Sequence, residues 1–326
     1  MNKRKLGNTG ATVSEIGLGT WQLGTKWGET FDAMEADKIL VAAREAGINF
    51  IDTADVYNSS NSELAIGHFL EQHPDEFFVT TKCGRKLSPH TSEMYTREAI
   101  RGFAEGSLKR IGVEALDLLL LHCPPTAVYE KDEVWESLKE LKAEGKILHY
   151  GVSIEKVSEG LTAMKHGVSV IEVIFNMFRM KPLEELFVEA QKNNVGIIVR
   201  VPLASGLLTG RYSKETTFGE NDHRSYNREG KSFDKGETFS GVDYELGLKA
   251  VNELKKLFQT DDLAPIALRW ILMFDAVSVV IPGASKEYQV LANVRASELP
   301  PLTPEQMAGV KEIYDTFIRP SVHPLW

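Results

Sequence analysis

The stretch Gly47-Ile48-Asn49-Phe50-Ile51-Asp52-Thr53-Ala54-Asp55-Val56-Tyr57 decides how the chain folds. An apolar run with the composition of a buried strand stops on a carboxylate, Asp52, and a tyrosine follows five residues later on a short polar loop. Strand interiors disfavour an ionised side chain, so Asp52 belongs at the strand's carboxyl end, where parallel α/β folds gather their chemistry. Taken alone, it reads equally well as a helix N-cap with a packing tyrosine behind it. The next two strands decide between these readings. Phe77 to Thr81 runs into Lys82 and Leu116 to Leu121 runs into His122, so three consecutive strands deliver Asp52, Lys82 and His122 to one rim.

Outward from these strands, apolar runs alternate with amphipathic stretches along the whole chain, the pattern of parallel βα units. Strands are expected at Glu15 to Leu18, Ile48 to Ile51, Phe77 to Thr81, Leu116 to Leu121, Leu148 to Val152, Val170 to Phe175, Gly196 to Val199 and Ser278 to Ile281. Helical periodicity fills the gaps, as at Met34 to Ala46, Arg97 to Arg110, Val134 to Glu144 and Tyr244 to Leu257. Eight strands with helices between them in 326 residues predict one α/β domain, residues 1–326, folded as a (β/α)8 TIM barrel. An N-terminal hairpin turning at Asn8-Thr9-Gly10 is expected to plug its bottom, and the C-terminal tail, ending on Trp326, to lie over its mouth. Gly17-Leu18-Gly19 lacks the third glycine of a dinucleotide fingerprint, because position 22 is Gln22.

Hydrophobic residues make up 43% of the chain, enough for a large core, and a net charge of -9 offers no basic face to nucleic acid or an anionic membrane. The basic N-terminus leads into no signal-like apolar run, and the longest plain apolar run, Leu118 to Leu121, falls far short of a membrane span. Cys83 and Cys123 are too few for a disulfide framework, which fits a reducing compartment. The expectation is a cytoplasmic protein acting on a small molecule, with no nucleic-acid or membrane partner and no metal. Nothing in the sequence fixes its oligomeric state.

The gathered residue types suit one reaction. Hydride addition to a carbonyl leaves an alkoxide that needs a proton, and Tyr57 holds one at neutral pH. Lys82 would stabilise the tyrosinate and lower the phenol's pKa, Asp52 would keep Lys82 charged and aimed, and His122 would orient the carbonyl oxygen.

With these residues in place the sequence resembles the aldo-keto reductase superfamily over nearly its whole length. The matching stretches are Gly17-Leu18-Gly19-Thr20-Trp21, Asp52-Thr53-Ala54 with Tyr57, Thr81-Lys82, Leu121-His122 with Pro124, Gly151-Val152-Ser153, Pro202 to Gly210 and Ile281 to Ser285. The resemblance implies a catalytic tetrad of Asp52, Tyr57, Lys82 and His122. It also implies NADP(H) across the barrel mouth and a small carbonyl substrate beside Trp21, Tyr57 and His122. Cofactor contacts are then expected from Gly19, Thr20, Trp21, Ser153, Glu172, Arg200, Pro202, Leu203, Ser205 and Gly206. Gly283, Ser285, Lys286, Gln289 and Asn293 would hold the adenosine half. Two alternatives stay open: a sugar or polyol dehydrogenase running in reverse, and a redox sensor resembling potassium-channel β subunits.

Three positions depart from the family, all where the nicotinamide would lie. Ile154 follows Ser153 in place of Asn, Glu172 stands for Gln, and Arg200 stands for the stacking aromatic. Glu172 and Arg200 are expected to pair, and the charge of Arg200 to favour NADPH over its oxidised form. Strand alternation is expected to turn both cysteines toward the helices. The polar segment Tyr212 to Ser240 shows no helical or strand period, and its Arg224, Arg228 and Lys231 would close over the pyrophosphate if it forms a lid.

Overall fold

Runs of β-branched and leucine residues form the eight expected strands in the computed structural model, which describes residues 1–25 and 30–326. They are β3 (Leu18–Gly19), β4 (Phe50–Asp52), β5 (Phe78–Cys83), β6 (Leu116–His122), β7 (Ile147–Ile154), β8 (Val170–Ile174), β9 (Gly196–Arg200) and β10 (Val277–Val280). All pair in parallel in chain order, and bridges from Ile16 to Val280 and Gly19 to Gly283 close the sheet into a barrel. Several strands run one or two residues further than expected, and Asp52, Lys82 and His122, expected to terminate their strands, are the last or near-last residues of them.

The two-residue period of a strand sorts side chains between the barrel interior and the helical layer. Phe50, Leu118, Leu120, Val170, Ile198 and Val279 fill the interior, while Ile51, Leu119, Leu121, Ile171, Ile197 and Val280 face the helices. Two residues beyond the interior set lie Asp52, His122, Glu172 and Arg200, and Lys82 and Ser153 share that parity on β5 and β7. One alternation thus both fills the core and aims the rim.

Below, β1 (Lys3–Lys5) and β2 (Thr12–Ser14) form the antiparallel hairpin, turned by a short 3-10 segment, Gly7–Thr9. Leu6 and Val13 project from it into the barrel floor, each burial contributing about 2 kcal/mol. Gly7 has φ +52 and lies so close to β9 that a Cβ there would come within 2.2 Å of the Gly196 nitrogen. Arg4 fixes the hairpin by donating to the carbonyls of Leu272, Phe274 and Val277 at 2.6, 3.2 and 2.9 Å.

The helical layer comprises α1 (Ala33–Glu45), α2 (Asn61–Gln72), α3 (Arg97–Ile111), α4 (Asp132–Ala143), α5 (Val157–Met164) and α6 (Leu186–Lys192). It continues, after the short α7 (His223–Tyr226), with α8 (Tyr244–Phe258), α9 (Ala264–Leu272), α10 (Glu287–Val294), α11 (Pro304–Ile313) and the terminal α12 (Arg319–Val322). Local signals set their ends: Thr96 caps α3 by accepting from the Ala99 amide, and Gly112 closes it in the left-handed region.

The segment expected to be without structure is ordered. It holds α7 and 3-10 turns at Lys235–Glu237 and Phe239–Gly241, and Asn227, Glu237, Thr238 and Ser240 are buried. Trp326 of the tail packs against it, its indole donating to Asp234 at 2.9 Å and lying 3.8 Å over the Arg179 guanidinium. Among the described residues no helix is long and apolar enough to cross a membrane.

Candidate active site

Lys82, wholly buried, donates to both carboxylate oxygens of Asp52 at 2.6 and 2.7 Å and to the Thr53 carbonyl at 3.1 Å. The Tyr57 hydroxyl lies 3.4 Å from the same ammonium, and the Tyr57 ring stands edge-on to His122 with centroids 5.8 Å apart. The four residues of the expected tetrad therefore meet. Tyr57 opens the turn Tyr57–Ser60, in which Asn58, Ser59 and Ser60 all have positive φ, a cost of about 1–2 kcal/mol each. Asn58 holds that turn by donating to the Leu23 carbonyl at 3.0 Å and to Ser62 at 2.9 Å. Behind Asp52, Thr20 donates to its carbonyl at 2.8 Å.

Glu172 adds a second carboxylate, 3.4 Å from the Lys82 ammonium, and also accepts from Ser153 at 3.1 Å. Burial and the charge of Glu172 push Asp52 upward against the pull of Lys82. Lys82, despite its burial, is held charged by Asp52 and Glu172. The two short contacts to Asp52 are those of an ion pair, and we assign Asp52 as ionised. Burial pushes the Tyr57 phenol above its ordinary value, outweighing Lys82. The expected net lowering is thus not met: Lys82 does pull the phenol down, but burial outweighs it, with Asp52 and Glu172 adding to the rise. Burial and then the cations Arg85, Lys82 and Arg200 hold His122 well below its usual range, so it is neutral, and its Nδ1 has no protein partner.

Arg200 reaches less toward Glu172 than the sequence suggests. Its Nε is 3.8 Å from Glu172, whereas a terminal nitrogen bonds Glu155 at 2.9 Å and the Ile154 carbonyl at 3.0 Å. Glu237 lies 3.6 Å from its other terminal nitrogen. The position of Cys123 is likewise corrected. Cys83 does pack among the helices, but Cys123 turns to the mouth, 3.3 Å from Arg200 and 3.5 Å from Ser153. The chain leaves the strand at Cys123 with φ +46, which breaks the alternation there. Cys123 and the carboxylates of Glu155 and Glu237 bring potential ligand atoms within 4.8 Å of one another, but the Arg85 and Arg200 guanidiniums already bond these groups.

The expected cofactor residues lie along the carboxyl ends of β3 and β7 to β10 and at the start of α10. Glu172 Oε2 is a buried acceptor and Arg200 Nε a buried donor, each without a hydrogen-bond partner among the described residues, and a carboxamide presents one group to each. A Cβ at Gly283 would meet nothing nearer than 3.9 Å, leaving an open floor beside β10. These residues fit a nicotinamide cofactor. Others are engaged within the protein: Ser205 donates to the Glu237 carbonyl and accepts from the Phe239 amide, and Gln289 accepts from Ser285 and Lys286. Lys286 pairs with Glu35 at 2.9 Å, Asn293 donates to the Gly283 carbonyl at 3.4 Å, and Trp21 packs 5.1 Å from the His223 ring. Val201 and Ser205 have positive φ around Pro202 and Leu203, and Gly206 has φ +92, so this turn is sharply bent. Arg224 pairs with Asp222 in its own segment, Arg228 lies over the ring of Tyr244 at the start of α8, and Lys231 is exposed.

Arg85, Glu155 and Glu237 were not singled out by sequence. Arg85 follows Lys82 by three residues and Glu155 follows Ser153 by two, which is a readable signal. Glu237 lies in the polar segment, where no local pattern marks it.

Fold and rim together define a (β/α)8-barrel oxidoreductase. The chain belongs to the aldo/keto reductase family, whose model matches residues 15–315. It is 30% identical over 323 residues to the uncharacterized oxidoreductase YqkF of Bacillus subtilis (strain 168), covering 95% of this chain and 96% of that one. It is also 30% identical over 317 residues to the NADH-specific methylglyoxal reductase of Escherichia coli (strain K12), covering 91% and 93%. The holo structure of aldo-keto reductase AKR11C1 from Bacillus halodurans matches with a TM-score of 0.78 at 28% identity, covering 99% of both chains.

Proposed function

We propose that the protein reduces aldehydes or ketones to alcohols with NADP(H), NADPH being preferred. The observation that carries this reading is the meeting of the Tyr57 hydroxyl, the Lys82 ammonium and a neutral His122 at one mouth. When bound, the reduced nicotinamide supplies a hydride to the substrate's carbonyl carbon. Tyr57, kept protonated by burial, gives its proton to the alkoxide oxygen that results. Lys82, held charged by Asp52, stabilises the tyrosinate left behind. His122 donates to the carbonyl oxygen and fixes its direction, as a neutral imidazole does without competing for the proton.

Ser153, Glu172 and Arg200 would hold the carboxamide, Gly19, Thr20, Trp21, Pro202, Leu203, Ser205 and Gly206 the middle of the cofactor, and Gly283, Ser285, Lys286, Gln289 and Asn293 its adenosine half. An NADH-specific relative at 30% identity makes cofactor choice the point to measure. Titration of cofactor fluorescence should give a tighter dissociation constant for NADPH than for NADH, and both mixtures should reduce a panel of small aldehydes. Tighter NADH binding would overturn the preference. Tight binding of either with no reduction of any aldehyde would replace the reductase with a sensor.

A further inference from the structure

The mouth carries more charge than carbonyl reduction uses. Arg85 sits on the loop leaving β5 and is the strongest cationic influence on His122. It follows the carboxyl end of β5, the strand paired with β6 and its terminal His122, and so stands on that side of the rim, whereas the expected cofactor residues come mainly from β3 and from β7 onward. Its guanidinium makes two hydrogen bonds to the Glu237 carboxylate, the geometry by which arginine takes a carboxylate ligand. Glu237 is no part of the barrel. It is carried in by the segment between β9 and α8, and Arg200 lies 3.6 Å away on its other side. A carboxylate of the chain itself thus fills a place between two guanidiniums, beside Cys123, the residue that follows His122.

The two arginines depend on it unequally. With Glu237 withdrawn, Arg200 keeps Glu155 at 2.9 Å and the Ile154 carbonyl at 3.0 Å, but among the described residues Arg85 keeps only Glu155, at 3.6 Å. Burial also pushes the Glu155 carboxyl up to about 8, so near neutrality it offers less than a full negative charge. Withdrawal of the segment leaves an excess of positive charge on the His122 side of the mouth, and a partly buried guanidinium calls for an anion.

Resting on the reductase reading above, we propose that Arg85 selects carbonyl substrates that carry a carboxylate, and that Glu237 occupies the carboxylate's place until substrate enters. The test compares kcat/KM for 4-carboxybenzaldehyde and benzaldehyde, which differ in the ionised group and little in carbonyl reactivity. The wild type should favour the carboxylate about 10- to 100-fold, the range of a charge-assisted hydrogen-bonded contact. Arg85→Gln should bring the ratio to about one. Glu237→Gln, which removes the internal competitor and leaves the cradle, should lower KM for the carboxylate several-fold. A wild-type ratio near one, or a ratio unchanged by Arg85→Gln, overturns the proposal. Benzoate binding to the NADPH complex, read by cofactor fluorescence, separates the two readings. Binding that Arg85→Gln abolishes, with neither aldehyde reduced, removes the reductase and keeps the anion site. Reduction of both aldehydes at equal kcat/KM with no benzoate binding does the reverse.

Discussion

Arg200→Leu removes a cation that three buried carboxylates share. At an effective dielectric of about 20, the contact at 2.9 Å to Glu155 is a gross attraction of about 6 kcal/mol, and those at 3.6 and 3.8 Å to Glu237 and Glu172 about 4–5 kcal/mol each. Glu237 retains Arg85 and Glu172 retains Lys82, so the net loss is set by Glu155, and breaking one such buried pair costs about 3–5 kcal/mol. An unfolding entropy of about 2.1 cal/mol/K per residue over 326 residues converts a loss of about 4 kcal/mol into a fall in Tm of about 6 °C. The effect carries a pH signature. Without Arg200 the Glu155 carboxyl, already up at about 8 through burial, rises further. A raised carboxyl contributes stability that is present at low pH and lost as pH rises through the folded value. Because Glu155 stays largely protonated up to about 8 even with Arg200 present, the deficit should be small at pH 5.5, develop above pH 8 and reach most of its value by pH 10. Thermal unfolding followed by circular dichroism at the two pH values tests this, and Arg200→Leu combined with Glu155→Leu should recover most of the loss. A fall under about 2 °C at pH 10, or equal deficits at both pH values, would refute the reasoning.

Burial pushes Asp55 to about 6, and neither of its carboxylate oxygens has a hydrogen-bond partner among the described residues. Its stabilising contribution is present below pH 4 and lost by pH 7, so wild type should lose about 3 kcal/mol relative to Asp55→Asn across that window in urea unfolding; parallel curves would contradict this. Deleting Trp326 removes the indole from Asp234 and Arg179, and should speed tryptic cleavage within residues 212–241 severalfold with little change in Tm. Equal cleavage rates would show that the tail does not hold the segment.

The barrel and the gathering of Asp52, Lys82 and His122 at its rim were legible because both follow from one period. Phe50 and Asp52, or Leu120 and His122, lie two residues apart, and the same alternation that packs the floor aims the rim. Strand bounds fell one or two residues short in the sequence reading because the apolar runs stop before Asp52 and Lys82, although ladder bonds continue through them. Cys123 escaped prediction because alternation holds only while the backbone stays extended. The segment from Tyr212 to Ser240 was opaque for another reason. Its order comes from distant partners, Arg85 for Glu237 and Trp326 for Asp234, together with Asn227 accepting from the amides of Ser232 and Phe233. None of these leaves a periodic mark. The acidity of Tyr57 was misjudged because the sequence shows its cation but not the depth of its burial.

The central claim is that Tyr57 donates the proton in a carbonyl reduction. Its most direct test is single-turnover oxidation of protein-bound NADPH by an activated aromatic aldehyde, wild type beside Tyr57→Phe. Rapid loss of the reduced-cofactor signal in the wild type, slowed at least about 100-fold by the substitution while NADPH still binds, is the predicted result. Equal rates in the two proteins would contradict it.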